Sequence, residues 1–336
     1  MPSARDPLVS VLTPVYNGER VLAECIGTVL AQTYPNFQYT IVNNCSTDRT
    51  LEIAASFAQQ DPRIRIHNNT EFLSVVDNHN NAFSLVPDEA KYCKVVGADD
   101  GLFPNCIAEL VKVAEEYPTV GMVTSYVLDG SRVGFDGLPY PSTFTKGREI
   151  CRMRLLQGVK VFGGPSNSLL RASALKQRKP FYKVGNYHGD TEAYLDLLQE
   201  YDFGFVHQVL SYNRRGKESR TTAFLRRVNS YLAADIEELV RFGPIYLTAE
   251  ERAPRLRRAT EEYYRFLAQS LLEFRGKEFW DYHRERMQKL GVGIDYVKVG
   301  RYLFYRSIDV LLNPKRTIEG MARRLFKGRG AASSEG

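Results

Sequence analysis

The chain predicts an α/β fold, with a mostly parallel central sheet flanked by helices and a C-terminal helical extension. Three observations carry that expectation. Within residues 1–100, four runs of strand length alternate with helical stretches, the pattern of parallel strands joined by crossover helices. Each run gives way to a polar loop rich in Asn, Asp or Gly. From about Thr222 the sequence becomes helical, Tyr-rich and Arg-rich, with few strand signals.

The first run, Leu8 to Val15, reads as a buried strand that enters a loop at Tyr16, Asn17 and Gly18. Val21, Leu22, Cys25, Ile26, Val29 and Leu30 then recur at helical spacing until Tyr34-Pro35-Asn36 breaks the pattern. Phe37 to Val42 is a second strand, and Asn43-Asn44-Cys45-Ser46-Thr47-Asp48 is the loop at its end. Ser46 or Thr47 is expected to cap the next helix, with Leu51, Ala54, Ala55 and Ala58 on its apolar side. Ile64 to His67 is a third strand and Asp77 to Phe83 begins a helix. Tyr92 to Val96 is a fourth strand, which stops at Asp99 and Asp100. Past it, Pro104 to Tyr117 is a helix burying Ile107, Leu110, Val111 and Ala114, and Val120 to Tyr126 is a further strand. Leu128 to Gly147 is rich in Gly, Pro, Ser and Thr, as in an extended loop or hairpin. Gly163-Gly164-Pro165-Ser166 is a backbone able to approach a ligand closely, and Gly189-Asp190-Thr191-Glu192 opens a helix that runs through Leu198.

The 336 residues suffice for one large α/β domain plus an appendage. With 43% hydrophobic and 25% charged residues, the composition is that of a globular protein rather than a disordered or fibrous one. Neither a signal peptide nor a membrane span is expected, because no stretch approaches roughly 18 apolar residues. The five cysteines lack CxxC spacing, which argues against a zinc site or disulfide framework and fits a reducing cytoplasm. A net charge of +6 permits anionic partners without requiring one. A nucleic-acid binder is disfavoured, since the basic residues are not interleaved with an aromatic platform. The residues after Asn313-Pro314 form a helical pattern with an apolar stripe (Ile318, Met321, Ala322, Leu325, Phe326) flanked by Arg316, Arg323, Arg324 and Lys327. This is a helix that lies on an anionic membrane surface, or one packed on the main domain with a solvated basic face.

The stretch Val95 to Pro104, VVGADDGLFP, organises the rest. Open α/β sheets place ligands at the carboxyl ends of their strands, and two adjacent carboxylates there repel each other unless a cation neutralises them. The expected client is a divalent metal carrying a diphosphate. Taken alone, the pair is first read as a solvated turn.

Four segments in order weigh against that plainer reading: VSVLTPVYNGE from Val9, AQTYPNFQYTIVNNCSTDRT from Ala31, VVGADDGLFP from Val95, and HGDTEAYL from His188. Together they resemble the inverting family 2 glycosyltransferases of the GT-A fold, over roughly residues 8 to 220. The resemblance implies a glycosyltransferase domain over residues 1–221, with a nucleotide-sugar-binding half (8–126) and an acceptor-side half (127–221). A basic helical region (222–328) and a disordered tail (329–336) follow. It implies that Pro14, Tyr16 and Asn17 meet the nucleotide and that Asn43 stands where relatives carry a base-reading aspartate, NNCSTD replacing DDGSTD. An Asn at that place both donates and accepts, so uracil is no longer the required base; capping of the loop by Asn43 and Asn44 is the structural alternative. Asp48 reads as a charge at a helix terminus. By the same resemblance Asp100 is the metal ligand for Mn²⁺ or Mg²⁺, Asp99 lies nearer the ribose, Gly163, Gly164 and Pro165 lie on the acceptor side, and Asp190 is the catalytic base. Glu192 is a nearby reserve or an exposed helix charge. Arg214, Arg215 and Lys217 would grip the diphosphate, Lys217 standing near where relatives often carry a histidine that sometimes touches the metal. His188 is the one histidine placed to matter; His67, His79, His207 and His283 read as structural.

The expected reaction is single-displacement, inverting transfer of a sugar from a nucleoside-diphosphate sugar, a UDP-sugar, to a hydroxyl of a glycan or glycolipid acceptor. The setting is bacterial polysaccharide or glycolipid assembly, cytoplasmic or peripheral on the inner face of the membrane. Two other classes stay open. A nucleotidyltransferase would normally show a Gly-rich basic loop after the first strand, which Pro14 to Gly18 is not. A non-catalytic nucleotide-sugar-binding protein is suggested by Asn43, Asn44 and Lys217.

Overall fold

The computed structural model describes residues 6–183, 188–213, 220–291 and 293–312. The chain divides into two compact units, Met1–Thr221 and Thr222–Gly336. In the first unit, β1 (Val9–Val15), α1 (Leu22–Leu30), β2 (Phe37–Asn43), α2 (Thr50–Gln60), β3 (Ile64–Asn68), α3 (Val75–Ser84) and β4 (Tyr92–Val95) alternate along the chain. All four strands are parallel, β1 lying between β2 and β4 and β3 outside β2. The remainder is less regular. It comprises β5 (Asp100–Leu102), α4 (Cys106–Glu116), β6 (Val120–Asp129), β7 (Arg132–Gly134), β8 (Phe144–Thr145) and α5 (Gly147–Gln157). A single 3₁₀ turn, Pro165–Asn167, then leads into β9 (Ser168–Arg171), α6 (Ala172–Gln177), α7 (Gly189–Leu197) and β10 (Asp202–Asn213).

These strands form one sheet in the order β3-β2-β1-β4-β9-β6-β10-β5, with β7 on β6 and β8 on β10. β9 is antiparallel to both its neighbours, while β10 runs parallel to β6. The sheet is thus mostly parallel, and β1, β2, β4, β6 and β10 all end at one edge. The apolar stripe of α1 (Leu22, Cys25, Ile26, Val29) and that of α4 (Cys106, Ile107, Leu110, Val111, Val113, Ala114) are buried in one core with the strands. Each fully buried Leu or Ile contributes about 1.5–3 kcal/mol, so the cluster anchors the strand ends firmly.

Three local expectations are corrected. Neither Ser46 nor Thr47 caps α2; Asp48 accepts from the Thr50 amide at 3.0 Å, which sets the helix face as Thr50, Ile53, Ala54, Phe57 and Ala58 and leaves Leu51 39% exposed. α3 begins before Asp77, because the Ser74 hydroxyl caps it by accepting from the Asp77 amide. The strand read as Val120 to Tyr126 runs on to Asp129, extended by pairing with both β10 and β7.

The second unit contains α8 (Arg220–Val228), α9 (Tyr231–Tyr246), α10 (Ala249–Leu272), α11 (Lys277–Lys289) and α12 (Tyr296–Leu312). α10 packs against α9 and α12 and opens with a reciprocal cap between Thr248 and Glu251. His283 is buried with its ring nitrogens on the Tyr263 hydroxyl and the Val228 carbonyl. Burial pushes it down to about 4, so it stays neutral. On α12, Val297, Phe304, Tyr305 and Leu312 are exposed. No helix among the described residues is long and apolar enough to cross a membrane. The basic amphipathic pattern after Asn313 lies outside the described residues.

Candidate active site

The loops after β1 and β2 are stitched together at the sheet edge. Asn17, with φ of 50°, donates its amide to Ser46 Oγ and accepts from the Thr47 amide at 2.8 Å. The Gly18 amide donates to Thr50 Oγ1 and the Glu19 amide to Asp48 Oδ2. Asp48 is therefore the staple of this loop pair, and those hydrogen bonds hold its carboxyl below the usual range despite partial burial. Tyr16 remains 47% exposed at the edge, its ring 4.8 Å from that of Phe72, itself 61% exposed. Phe72 lies in the polar-looking loop after β3, where the sequence gives no sign of a partner.

Asn43 and Asn44 are buried, each for an identifiable reason. Asn43 Oδ1 accepts from the Ser46 amide and its Nδ2 donates to Asn68 Oδ1 at 3.0 Å. Asn44 accepts from the Leu73 amide and from Asn69 and donates to the Leu73 carbonyl. Asn69 continues the chain to Asn78 and Asn81. Loop capping is thus a real role of both residues, and Asn43 Oδ1 keeps a second lone pair.

Asp99 and Asp100 follow β4. Asp99 is exposed and Asp100 half-buried. Gly97 makes the arrangement possible: a Cβ there would meet Asp100 Oδ2 at 2.8 Å and Asp99 Oδ1 at 3.3 Å. Ser166 Oγ donates to Asp100 Oδ2 and accepts from the Gly97 amide at 2.8 Å. The Ser166 carbonyl in turn accepts from Nζ of Lys94, a fully buried lysine on β4. Burial pushes Asp100 up to about 6, and the Asp99 charge adds to the rise while the Ser166 hydroxyl and Lys94 oppose it. That is an electrostatic cost which a bound cation would relieve. A carboxylate at the lip is the donor chemistry that a hard divalent ion takes, its remaining ligands coming from phosphate and water oxygens. Among the described residues no group of three or more His, Cys, Asp or Glu side chains could hold a metal, so Asp100 would be the protein's ligand.

Asp100 also begins β5, which pairs antiparallel with the end of β10, Asn213 opposite Asp100. The register brings the chain to the carboxylate pair one residue before Arg214. Arg214, Arg215 and Lys217 themselves lie outside the described residues.

Asp190 is the second residue of α7, whose N-cap is His188. Burial pushes its carboxyl up, against the pull of the Thr191 amide 2.7 Å from Oδ1 and the charge of Arg154. One helical turn on, the Tyr194 hydroxyl lies 3.2 Å from Ser168 Oγ. Ser168 closes the same turn whose Ser166 holds Asp100. Asn80 fixes the approach to this helix by exchanging two hydrogen bonds of 2.8 Å with the Tyr182 backbone. Glu192 is not an exposed helix charge; it is buried and paired with Lys183 at 2.9 Å, a role that leaves Asp190 as the carboxylate at the start of α7.

A model of the family described as "Glycosyl transferase family 2" matches residues 10–179, just over half of the chain. The chain belongs to the family 2 glycosyltransferases. It is 27% identical over 235 residues to the putative glycosyltransferase EpsE of Bacillus subtilis, covering 67% of this chain and 78% of that protein. It is 31% identical over 119 residues to the glycosyltransferase GlyG of Streptococcus pneumoniae, covering 35% of this chain and 39% of GlyG. Two solved structures share its GT-A type fold at low identity. S. aureus TarS in complex with UDP-GlcNAc superposes with a TM-score of 0.56 at 15% identity, over 84% of this chain and 92% of that one. The mannosyltransferase PcManGT of Pyrobaculum calidifontis, in complex with GDP-Man and Mn²⁺, gives 0.54 at 16% identity, over 92% and 88%. In the family 2 chain described here, the carboxylate pair, the stitched loops and the start of α7 all stand in the unit that contains the family match.

Proposed function

We propose that this family 2 glycosyltransferase moves a sugar from a UDP-sugar to a hydroxyl of a glycan or glycolipid acceptor, with inversion, in bacterial polysaccharide or glycolipid assembly. The observation that carries the reading is the Pro165–Ser168 segment, which touches both the donor-side carboxylate, through Ser166 and Asp100, and the base helix, through Ser168 and Tyr194. A half-buried carboxylate raised by its surroundings and joined through that segment to the helix of Asp190 supports a functional site there.

In this reading Tyr16 and Phe72 offer an aromatic surface to the nucleobase, Pro14 and Asn17 shape the loop against which the nucleoside lies, and Asn43 Oδ1 presents an acceptor to an N–H of the base. Asp99, exposed at the lip, accepts from a ribose hydroxyl. A divalent cation on Asp100, Mn²⁺ or Mg²⁺, supplies positive charge to the departing diphosphate. Arg214, Arg215 and Lys217 add theirs from the segment after Asn213. Asp190 takes the acceptor proton as the hydroxyl bonds to the anomeric carbon, and burial makes it a better base than a solvated aspartate. The acceptor approaches the face opposite the leaving group, beside Gly163, Gly164 and Pro165. The UDP-GlcNAc bound by TarS and the GDP-Man and Mn²⁺ bound by PcManGT are ligands of those proteins; they support a nucleotide-sugar donor here.

A thermal-shift panel of nucleoside diphosphates and nucleotide sugars, with and without Mn²⁺, tests this. A ligand at about 100 times its Kd stabilises the folded state by about 2.7 kcal/mol. Stabilisation by UDP or a UDP-sugar that requires Mn²⁺ is expected; no response to any nucleotide would remove the reading. We further propose peripheral attachment to the inner membrane face through the residues after Asn313. The exposed Val297, Phe304 and Tyr305 of α12, next to Arg301, support it.

A further inference from the structure

We propose that Ser166, held by the buried side chain of Lys94, is a positioning residue that fixes the Asp100 carboxylate for metal and ties it to the acceptor-side turn. The inference rests on the metal-dependent donor site described above.

A carboxylate at a strand end can rotate freely, and each of its oxygens can face solvent or protein. Here one oxygen is tethered: Asp100 Oδ2 accepts from Ser166 Oγ, which fixes the plane of the carboxylate and leaves Oδ1 the freer oxygen for a cation. The hydroxyl has no choice of direction. Its acceptor capacity faces the Gly97 amide at 2.8 Å, so its single proton goes to Asp100. Ser166 itself is 4% exposed and sits in a single 3₁₀ turn, which needs outside support. Lys94 provides it from below, donating to the Ser166 carbonyl. From the sides, Asn167 donates to Ser211 Oγ on β10 at 2.7 Å and accepts from the Gly164 amide at 3.1 Å. A lysine with no exposed surface on a central strand is costly, and packing alone would favour an apolar residue there. Its use is explained by the carbonyl it holds. Gly163, Gly164 and Pro165 lead straight into Ser166, so one hydrogen bond joins the acceptor-side loop to Asp100.

Partners that orient a metal ligand typically change metal affinity by 10–100-fold when removed. The test is a Mn²⁺ titration at fixed UDP, followed by thermal shift and by loss of the free Mn²⁺ electron paramagnetic resonance signal. Ser166→Ala is expected to raise half-saturating Mn²⁺ about tenfold or more, with UDP binding at saturating Mn²⁺ unchanged. Ser166→Thr, which keeps the hydroxyl, is expected to restore a midpoint close to wild type. If Ser166→Ala does not fold, the nearly isosteric Ser166→Cys, a weaker donor, is titrated in its place and is expected to shift in the same direction. A folded Ser166→Ala or Ser166→Cys protein with the wild-type Mn²⁺ midpoint overturns the positioning role alone. A wild-type protein whose UDP binding ignores Mn²⁺ overturns both this role and the metal site beneath it.

Discussion

Asp100 combines a function with a cost to folding, and replacing it with asparagine separates the two. Its carboxyl stands at about 6 in the folded protein against 3.8 for a free group. A carboxyl raised on folding keeps its proton longer in the native state, so native stability falls as pH climbs from the free value through the folded one. Each pKa unit corresponds to 1.36 kcal/mol, so the cost is about 3 kcal/mol at pH 8, about half that at pH 5, and nearly nothing at pH 3. The substituted carboxamide would carry no charge at any of these values and can still accept from Ser166 Oγ. Urea denaturation of metal-free Asp100→Asn in EDTA should therefore show a protein more stable than wild type by about 1–3 kcal/mol at pH 8. The gain should shrink at pH 5, and the Mn²⁺-dependent response to UDP should be lost. A variant less stable than wild type at pH 8, or a gain that does not change with pH, would refute the electrostatic account of this carboxylate.

Other perturbations separate the remaining parts. Tyr16→Ala and Phe72→Ala should each weaken UDP binding by about 1 kcal/mol, the scale of one aromatic contact, measured by calorimetry, with little change in unfolding because both rings are exposed. Gly101→Ala should lower stability by about 1–3 kcal/mol, since its Cβ would lie 2.1 Å from the Tyr212 ring; a thermal melt reads this directly. Truncation before Asn313 should move the protein from the membrane to the soluble fraction at low salt, and an unchanged distribution would leave that segment a packing role.

The parallel half of the sheet was legible because β1, β2 and β4 are largely apolar runs buried on both faces, which admit few other readings, with β3 at the edge. α1 and α4 announced themselves by stripes at helical spacing. The rest depended on partners far away in sequence. Asp100-Gly101-Leu102 reads as a turn and becomes a strand only because β10 pairs with it; Ser168–Arg171 is too short to signal a strand and is held antiparallel between β4 and β6. The carboxylate pair stood out by its place at a strand end, whereas Asp190 was singled out by the family resemblance. What supports them was not visible. Lys94 looks like a polar interruption in an apolar run, and Ser166 like one more loop serine, until the fold puts both beneath Asp100. Asn43 shows the converse: its motif pointed to the base, and the structure adds the hydrogen bonds to Ser46 and Asn68 that also hold the loop.

The central claim is transfer with Asp190 as base, and donor turnover by purified Asp190→Asn protein tests it most directly. General-base catalysis contributes about 10²–10⁴-fold, so UDP release from the UDP-sugar that stabilises the wild type, with Mn²⁺ and a hydroxyl acceptor, should fall by at least about 100-fold. The thermal shift given by the same donor should stay as in wild type. Turnover by Asp190→Asn at the wild-type rate would contradict the account.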